Sequence, residues 1–420
     1  MDKNTLIGAL LIGAVLIGFT WFSKPDPTQQ TPPPADTTHV VAQQPAAPQA
    51  TADTVALDST GAPILAPYQQ AKEEKVIVLK NEKLALSIST RGGAPVEAVL
   101  ADYLDQSKKP VHLFRKGDTR LDLPLRTLDN RMVSTADANF DIIEATDSTA
   151  TLRMQLDESA YLDYVYKLRS SDYRVDFTIR GHELRRFPVN IALQDIEWRQ
   201  RIPQQEQSWK FEGQYSGIYY HYPQGDVDRL ETTSEASEDI QETLRWVAFK
   251  DKYFSSVLIA SATGFKDNKL TLKTEGEGSG YVRSGDFKGT FPISVKETET
   301  VVPFMFFFGP NDYDLLKGYD EGVDKANVLH LDHLVYLGMS VFRWINQYLI
   351  IPVVTFLSGF LSNWGIIILL MTLFIKMLLW PFTYKSYMSQ AKMRVLRPQI
   401  EAINAKYPGK EQDQMMKRQT

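Results

Sequence analysis

The sequence predicts a membrane protein that combines a large antiparallel β-sandwich with two transmembrane helices, an interfacial amphipathic helix and the start of a cytoplasmic helical hairpin. Two apolar blocks, residues 5–22 and 364–382, predict the transmembrane helices of this 420-residue chain. Between them, many short runs of strand-forming residues are separated by turn residues, which is typical of an antiparallel sandwich. Hydrophobic residues make up only 43% of the chain, so most of it should face water.

Composition excludes several classes of function. The formal net charge of −5 argues against nucleic acid as the main partner. The chain has no cysteine, which excludes zinc–cysteine sites, disulfides and thiol nucleophiles. Of the six histidines, His330 and His333 stand at helical spacing, but no third ligand is evident beside them. We therefore expect no metal site, no cofactor and no catalytic residue.

Residues 1–23 are predicted to form an N-terminal transmembrane anchor. The apolar run within them has about 18 residues, the lower end of what spans a bilayer. A cleaved signal peptide is the alternative, but the run ends in the bulky Trp21 and Phe22 instead of the small residues of a cleavage site. Residues 24–75 follow as a proline-rich linker, expected to be extended and disordered because it has few apolar side chains to bury.

Residues 76–318 are predicted to form the β-sandwich. Residues 173–179 alternate between apolar and polar side chains, and residues 301–308 form a final buried strand that is too short to cross a membrane as a helix. Turns are predicted at residues 92–93, 276–280 and 286–289. Residues 234–250 look helical or mixed.

Residues 319–361 are predicted to form a helical linker and then an amphipathic helix lying in the membrane interface. The apolar and aromatic run that includes Trp344 is interrupted by Arg343 and Pro352. Such interruptions suit an interfacial helix, broken near Pro352, better than a continuous span. We expect Trp344 to lie at the membrane interface.

Residues 362–383 form the predicted second transmembrane helix, with Trp364 and Trp380 near its two ends, where aromatic side chains favour the interface. Many basic residues follow it, which places residues 384–420 in the cytoplasm. Two spans then put the N-terminus in the cytoplasm and the sandwich in the periplasm, as expected of a multi-pass protein of the bacterial inner membrane. Residues 384–420 resemble a helical hairpin cut off in its second helix, so we expect a fragment of a longer protein.

Lys376 is a cation inside the second apolar run, and Thr372 precedes it by four positions, on the same helix face. A charge at membrane depth usually faces a hydrated cavity or a partner. The alternative is snorkelling, because Trp380 and the interface are only about 6 Å away along a helix. Position alone leaves both interpretations open.

Several segments resemble the YidC family of membrane insertases. The apolar run introduced by Asn363-Trp364-Gly365, with Thr372, Lys376 and Trp380-Pro381-Phe382-Thr383, is similar to the family's second span. The sequence Ala391-Lys392-Met393-Arg394-Val395-Leu396-Arg397-Pro398 resembles the start of its cytoplasmic hairpin. Trp246-Val247-Ala248-Phe249 with Tyr253-Phe254, and Phe308-Gly309-Pro310, resemble signatures of its periplasmic domain.

The resemblance implies an insertase that performs no covalent chemistry. It would insert and fold inner-membrane proteins, alone or with the Sec translocon, through a hydrophilic groove lined by Lys376 and Thr372. The family usually carries arginine where this chain has Lys376, so the charge is kept but the bidentate fork is lost. The implied partners are nascent membrane proteins, the Sec translocon, membrane lipids, and the ribosome or the signal recognition particle receptor at the hairpin.

The alternative is a membrane-anchored periplasmic protein in which the sandwich binds or modifies carbohydrate. Such a protein needs neither a charged face in its second span nor a basic cytoplasmic hairpin. Both features are present here, which favours the insertase.

Overall fold

The computed structural model describes residues 67–70, 72–126, 132–184, 193–223, 225–231, 234–293, 298–338 and 340–406. The predicted N-terminal anchor, most of the predicted linker and the second helix of the predicted hairpin lie outside these residues. The chain divides into two compact units. We call the described residues of Asp53–Tyr336 the sandwich unit and the described residues of Leu337–Thr420 the helical unit.

The described part of the sandwich unit consists mainly of β-strands that pair in antiparallel fashion. The strands are β1 (Val76–Lys80), β2 (Leu84–Ser89), β3 (Pro95–Leu104), β4 (Pro110–Phe114), β5 (Thr119–Asp122), β6 (Leu125–Arg126), β7 (Met132–Val133), β8 (Asp141–Ala145), β9 (Thr149–Gln155), β10 (Tyr161–Leu168), β11 (Arg174–His182), β12 (Leu193–Pro203), β13 (Gly217–His221), β14 (Val227–Leu230), β15 (Glu235–Ile240), β16 (Trp246–Lys250), β17 (Phe254–Ala260), β18 (Lys266–Thr274), β19 (Tyr281–Pro292) and β20 (Glu299–Pro310). Short helices occupy Trp209–Gly213 and Tyr313–Gly318.

These strands form three large sheets. One has nine strands in the order β14-β13-β16-β17-β20-β11-β10-β9-β8, one has five in the order β15-β18-β19-β12-β5, and one has four in the order β1-β2-β3-β4. A small sheet pairs β6 with β7. The alternation predicted for residues 173–179 is present in β11, whose residues are alternately buried and more exposed.

Aromatic side chains join the nine-stranded sheet to both of the other large sheets. The ring of Trp198 on β12 lies 4.3 Å from that of Phe249 on β16, measured between centroids. The ring of Phe114 on β4 lies 5.4 Å from that of Phe308 on β20. The predicted large antiparallel β-sandwich is therefore confirmed, with its core between facing sheets.

The prediction that residues 234–250 are helical or mixed is wrong, because they form β15 and β16. β15 is an edge strand of the five-stranded sheet, and most of its residues are exposed. An exposed edge strand favours charged side chains such as Glu235 and Glu238, because charge discourages further strand pairing. Because most of its side chains are polar, β15 does not show the alternation of apolar and polar residues that predicts a strand.

The turn predicted at residues 286–289 is also wrong, since this stretch lies inside β19. Crowding explains Gly289 in this stretch and Gly285 directly before it. A Cβ atom on Gly285 would lie 2.5 Å from the Phe249 ring, and one on Gly289 would lie 2.8 Å from the Phe287 ring. Glycine inside a strand often marks such a close approach. The turn at residues 92–93, in contrast, has both glycines at positive φ, 81° and 64°.

The hydrophobic core of the sandwich unit extends beyond the predicted limits, residues 76–318. Tyr68 is only 8% exposed and belongs to the core, and its carbonyl accepts a hydrogen bond from the Asn139 backbone N–H at 3.0 Å. At the other end, Leu331 and Leu334 are fully buried in the same core. These apolar anchors bring segments on both sides of the predicted domain into the compact unit.

The helical unit begins with helical residues Ser340–Ile345, a π-turn at Asn346–Ile350 and a helix at Ile351–Ser358. Pro352 does not interrupt this helical path, which continues to Ser358. The π-turn directly before it changes the backbone pairing instead.

One helix, Trp364–Lys406, includes all but the first two residues of the predicted second span and continues well beyond residue 383. Pro381 and Pro398 both lie inside it. The side chain of Asn363 caps its start by accepting a hydrogen bond from the Gly365 N–H at 2.9 Å. At 43 residues it is about 65 Å long, more than twice the thickness of a hydrocarbon layer.

Two helices in the described part of the chain, Val341–Ser358 and Trp364–Ala402, are long and apolar enough to cross a membrane. The second includes residues 364–383 of the span predicted at residues 362–383. The first is the element that the sequence assigned to the interface.

Candidate membrane-embedded site

Thr372 and Lys376 lie on an exposed face of the long helix. Ile367 is 2% exposed and Met371 is 8% exposed, so these two mark the buried face of the same helix. Lys376 is nine residues after Ile367, which at about 100° per residue turns it about 180° away. The lysine therefore lies on the side of the helix opposite to the buried face.

Thr372 uses its hydroxyl proton within its own helix. Its Oγ1 donates a hydrogen bond to the Ile368 carbonyl at 2.8 Å. Thr383 makes the equivalent bond to the Leu379 carbonyl at 2.9 Å. Such back-bonding satisfies the hydroxyl in an apolar environment and leaves an oxygen lone pair available to accept a further bond. Thr372 can thus accept a hydrogen bond from an incoming group without leaving its helix.

Lys376 is exposed and flanked by exposed apolar side chains, including those of Leu373 and Met377. Among the described residues, no carboxylate lies within ion-pairing distance of its ammonium. The charge is therefore available to water or to a group from outside the described chain.

The three predicted interfacial tryptophans are all exposed: Trp344 by 62%, Trp364 by 62% and Trp380 by 68%. Trp364 and Trp380 are separated by about 24 Å along the helix, comparable with a hydrocarbon layer of about 30 Å. Trp344 and Trp380 each pack against a tyrosine one turn later, Tyr348 and Tyr384, with 5.8 Å between ring centroids. Paired amphipathic rings of this kind are typical of membrane interfaces.

The end of the long helix is strongly basic. Lys385, Lys392 and Arg394 are exposed there. Arg397 pairs with Glu401 one turn away, at 3.1 Å. This segment therefore has a net positive charge directly after the apolar stretch.

Two polar clusters in the sandwich unit were not predicted. In one, the candidate ligand atoms of His330, Asp332 and His333 lie within 4.8 Å of one another. The absence of a metal site was predicted because no third ligand was evident beside the two histidines, although Asp332 stands between them. The pattern His-x-Asp-His was the signal that could have found it.

The second cluster is a buried pair of carboxyl groups, Glu212 and Asp251, beside the buried Lys250. Burial, with the neighbouring Asp251, raises the pKa of Glu212 to about 9, and burial lowers the pKa of Lys250 to about 8. The Lys250 ammonium donates to the Tyr215 carbonyl at 2.9 Å. Glu212 is thus protonated at neutral pH, and no signal in the sequence indicated this.

Comparison with known proteins accounts for both units. The sequence profile of the YidC periplasmic domain matches residues 76–351, and that of the 60Kd inner membrane protein matches residues 356–420. The membrane protein insertase YidC of Porphyromonas gingivalis is 48% identical over 435 aligned residues, which cover 100% of this chain and 69% of that protein.

Solved structures show weaker likeness. A galactose mutarotase-like protein from Lactobacillus casei is 11% identical, with a TM-score of 0.36, and the match covers 56% of this chain and 100% of that one. An active YidC insertase crystal structure is 16% identical, with a TM-score of 0.30, and the match covers 84% of this chain and 68% of that one.

The match to the Porphyromonas insertase extends over the sandwich and the helices together, which favours an insertase over the alternative of a sugar-active sandwich protein. The family is one of inner-membrane proteins, in agreement with the apolar helices. The chain belongs to the YidC family of membrane protein insertases.

Proposed function

We propose that the long helix supplies one wall of a hydrophilic groove through which the insertase passes the polar tails of its clients, with Lys376 and Thr372 on the groove side. The observation that carries this proposal is a cation on the exposed helix face opposite the buried Ile367. An ammonium at this depth in hydrocarbon costs about 3 kcal/mol on insertion scales, so a hydrated groove is its natural environment.

The groove lowers the barrier for an acidic client tail. Such a tail would otherwise carry its charge through hydrocarbon, at a cost similar to that of the lysine itself. A partly desolvated ammonium attracts a carboxylate, and Thr372 can accept a hydrogen bond from a client backbone N–H. The apolar segment of the client then moves sideways into lipid while its tail crosses in the groove.

The test is insertion of one client, with an acidic or a neutralised N-terminal tail, by the natural protein reconstituted in liposomes. Lys376→Ala should reduce insertion of the acidic-tailed client about tenfold, because hydrogen bonds to charged groups contribute about 1.5–3 kcal/mol. The neutral-tailed client should be affected much less, and Lys376→Arg should retain activity because it keeps the charge.

Lys385→Ala is the matched control, since Lys385 is exposed on the same helix but lies beyond Trp380. It should leave both clients unaffected. Equal loss for both tails in Lys376→Ala would remove the electrostatic role and favour an anchoring lysine.

We also propose a topology in which the sandwich unit is periplasmic and the basic end of the long helix is cytoplasmic. The exposed Lys385, Lys392 and Arg394 support it, because positive residues flanking a span favour the cytoplasm. Protease added to spheroplasts should release the sandwich unit and spare residues 385–406. Cleavage after Lys385 or Lys392 in intact spheroplasts would contradict this orientation.

The helical stretch from Ser340 to Ser358 is proposed to lie in the interface at the periplasmic surface. Its Phe342, Trp344 and Tyr348 are exposed, and Arg343 gives it a charge. Depth-dependent quenching of Trp344 fluorescence by brominated lipids should place its ring near the headgroups. Quenching that is strongest at the bilayer centre would indicate a span.

The proposed partners follow from these surfaces. Nascent membrane proteins and membrane lipids contact the apolar and charged faces of the long helix. The Sec translocon is proposed as a partner on the resemblance to the family, and the ribosome or the signal recognition particle receptor at the basic segment 384–406. Crosslinking from a photoreactive residue at position 392 tests the last of these, because residues 384–399 are exposed.

A further inference from the structure

One end of the sandwich unit carries a histidine cluster that membrane insertion does not use. His330 and His333 lie at the ends of a short segment, with ring centroids 5.3 Å apart. Asp332 lies between them, and one ligand atom from each of the three residues falls within 4.8 Å of the other two. Imidazole nitrogens and a carboxylate oxygen are the donors that zinc and related divalent ions prefer in a site without cysteine.

The segment that carries these side chains is held firmly. Leu331 and Leu334, the first and last residues of a 3₁₀ turn, are fully buried and fix the turn to the core. The Asp320 carboxylate accepts hydrogen bonds from the backbone N–H groups of Leu329 and His330, at 2.7 and 2.9 Å. His330 itself has a φ of 51°, a left-handed conformation that is costly for a residue with a side chain.

A third imidazole, that of His221, lies next to the cluster. His221, at the end of β13, is only 1% exposed, and neither of its ring nitrogens has a hydrogen-bond partner among the described residues. The Gly225 carbonyl lies near this ring, but not with hydrogen-bond geometry. A buried imidazole without partners costs about 1–3 kcal/mol, so this one needs an explanation.

Trp246 and His330 fix the position of His221. The His221 ring stacks on Trp246 at 5.7 Å and meets the His330 ring edge-on at 5.4 Å. The indole Nε1 of Trp246 donates to the Leu329 carbonyl at 2.6 Å, which ties the strand to the segment bearing the cluster. The buried His221 and the more exposed His330 are therefore in contact, although they are distant in the chain.

We propose that His330, Asp332 and His333 bind one divalent transition-metal ion, with zinc as the first candidate, and that His221 supplies the fourth ligand. Tetrahedral zinc with bonds of about 2.1 Å places its ligand atoms about 3.4 Å apart. The outer three donors approach that spacing by small side-chain rotations, which the exposed His330 and the half-buried Asp332 and His333 allow. The ion then satisfies the buried nitrogen of His221.

Charge makes Asp332 essential to the site. Arg245 directly precedes β16 and donates its backbone N–H to the His221 carbonyl at 2.7 Å. Its guanidinium repels positive charge at the His221 ring. Three neutral imidazoles would leave a bound ion with its full double charge beside this arginine. The carboxylate of Asp332 removes one unit of that charge, so its loss should weaken binding more than geometry alone requires.

The test uses the untagged chain, purified in detergent, stripped with a chelator and dialysed. Calorimetric titration with zinc chloride should show one site per chain. Cobalt(II) in its place should give the intense visible absorption of a four-coordinate site. His330→Gln, His333→Gln, His221→Gln and Asp332→Asn should each weaken binding at least about tenfold, as loss of a ligand or of its support does.

His182→Gln is the matched control, because His182 also pairs with a carboxylate, that of Glu299, on another part of the sandwich. It should bind zinc like the wild type. Asp332→Asn keeps the side-chain volume, and its melting temperature without metal should equal that of the wild type, which separates lost binding from lost folding. Zinc should raise the melting temperature of the wild type and not that of Asp332→Asn.

Absence of saturable zinc binding, or wild-type affinity in a His330→Gln/His333→Gln double variant, would overturn the site. Wild-type affinity in His221→Gln would overturn the fourth ligand, and a six-coordinate cobalt spectrum would overturn the proposed geometry.

Discussion

Replacing Glu212 by glutamine should change how the stability of the sandwich unit depends on pH. Glu212 is fully buried, and its two carboxyl oxygens accept the backbone N–H groups of Gln205 and Glu206, at 2.9 and 3.1 Å. Burial, with the neighbouring Asp251, raises its pKa to about 9. Asp251 Oδ2 has no donor among the described residues, so a proton on Glu212 can serve both carboxyl groups.

Whether the free energy of unfolding rises or falls with pH depends on how many protons the folded and unfolded states bind. A glutamate in the unfolded chain has a pKa of about 4.3. Between that value and the folded pKa of about 9, the folded state holds one proton that the unfolded state has lost. The free energy of unfolding therefore falls as pH rises, by about 1.4 kcal/mol per pH unit. From pH 6 to pH 8 the loss is about 2.7 kcal/mol.

Lys250 sets the upper limit of the pH range in which the effect of Glu212 on stability can be measured. Burial lowers its pKa to about 8, whereas an unfolded lysine titrates near pH 10.4. Above pH 8 the folded state therefore releases a proton that the unfolded state keeps, and stability gained there offsets the loss from Glu212. At pH 8 Lys250 is already half deprotonated, which restores about 0.4 kcal/mol, and comparison with a variant that keeps Lys250 subtracts this contribution.

The assay is urea unfolding of residues 53–336, followed by tryptophan fluorescence at pH 6, 7 and 8. The wild type should lose about 2.7 kcal/mol relative to Glu212→Gln across this range, because glutamine does not titrate. Groups that do not contact Glu212, including the histidines, cancel in this difference, whereas Asp251 responds to the substitution together with Glu212. The exposed Glu277→Gln should follow the wild type. Parallel curves for wild type and Glu212→Gln would refute the shared proton.

Two further substitutions test the packing of the sandwich unit by the same unfolding assay. Gly285→Ala should destabilise it by about 1–3 kcal/mol, because the new methyl group would lie 2.5 Å from the Phe249 ring, whereas Gly276→Ala, with no atom within 4 Å, should stay within about 0.5 kcal/mol of the wild type. Tyr68→Ala should cost about 3 kcal/mol because its ring is in the core, and a change below about 0.5 kcal/mol would restore the sequence-based view that residues 24–75 are only a linker.

The membrane architecture was accessible from sequence because hydropathy is a local property. An apolar run, the tryptophans at its ends and the bases after it are adjacent in the chain, so Trp364, Trp380 and Lys376 needed no fold to be noticed. β11 was accessible for a similar reason, since its apolar side chains alternate with one buried face. Each of these signals is complete within about 20 residues, the length of one span.

The features that were not predicted from the sequence depend on contacts between residues that are distant in the chain. Gly285 is crowded by the Phe249 ring, which belongs to another sheet, so only the assembled fold explains why glycine stands there. Glu212 and Asp251 form a pair only once the short helix and the end of β16 meet. His221 and His330 meet only through the packing of Trp246 on the segment after Leu329. Non-local contacts of this kind leave no periodic trace in the sequence.

The direction of helical side chains bears on the two interpretations of Lys376 that position alone left open. Snorkelling requires the ammonium to reach the interface near Trp380, which lies towards the C-terminal end of the helix. Side chains on an α-helix lean towards its N-terminus, so the stem of Lys376 starts out pointing back towards the centre of the apolar stretch. The helix also continues through Pro381 to Lys406, so no helix end opens near Trp380 to receive the ammonium. A lysine in this position reaches the interface only by bending back along its own helix, whereas the proposed hydrated groove beside Thr372 would solvate it in the direction in which it already points.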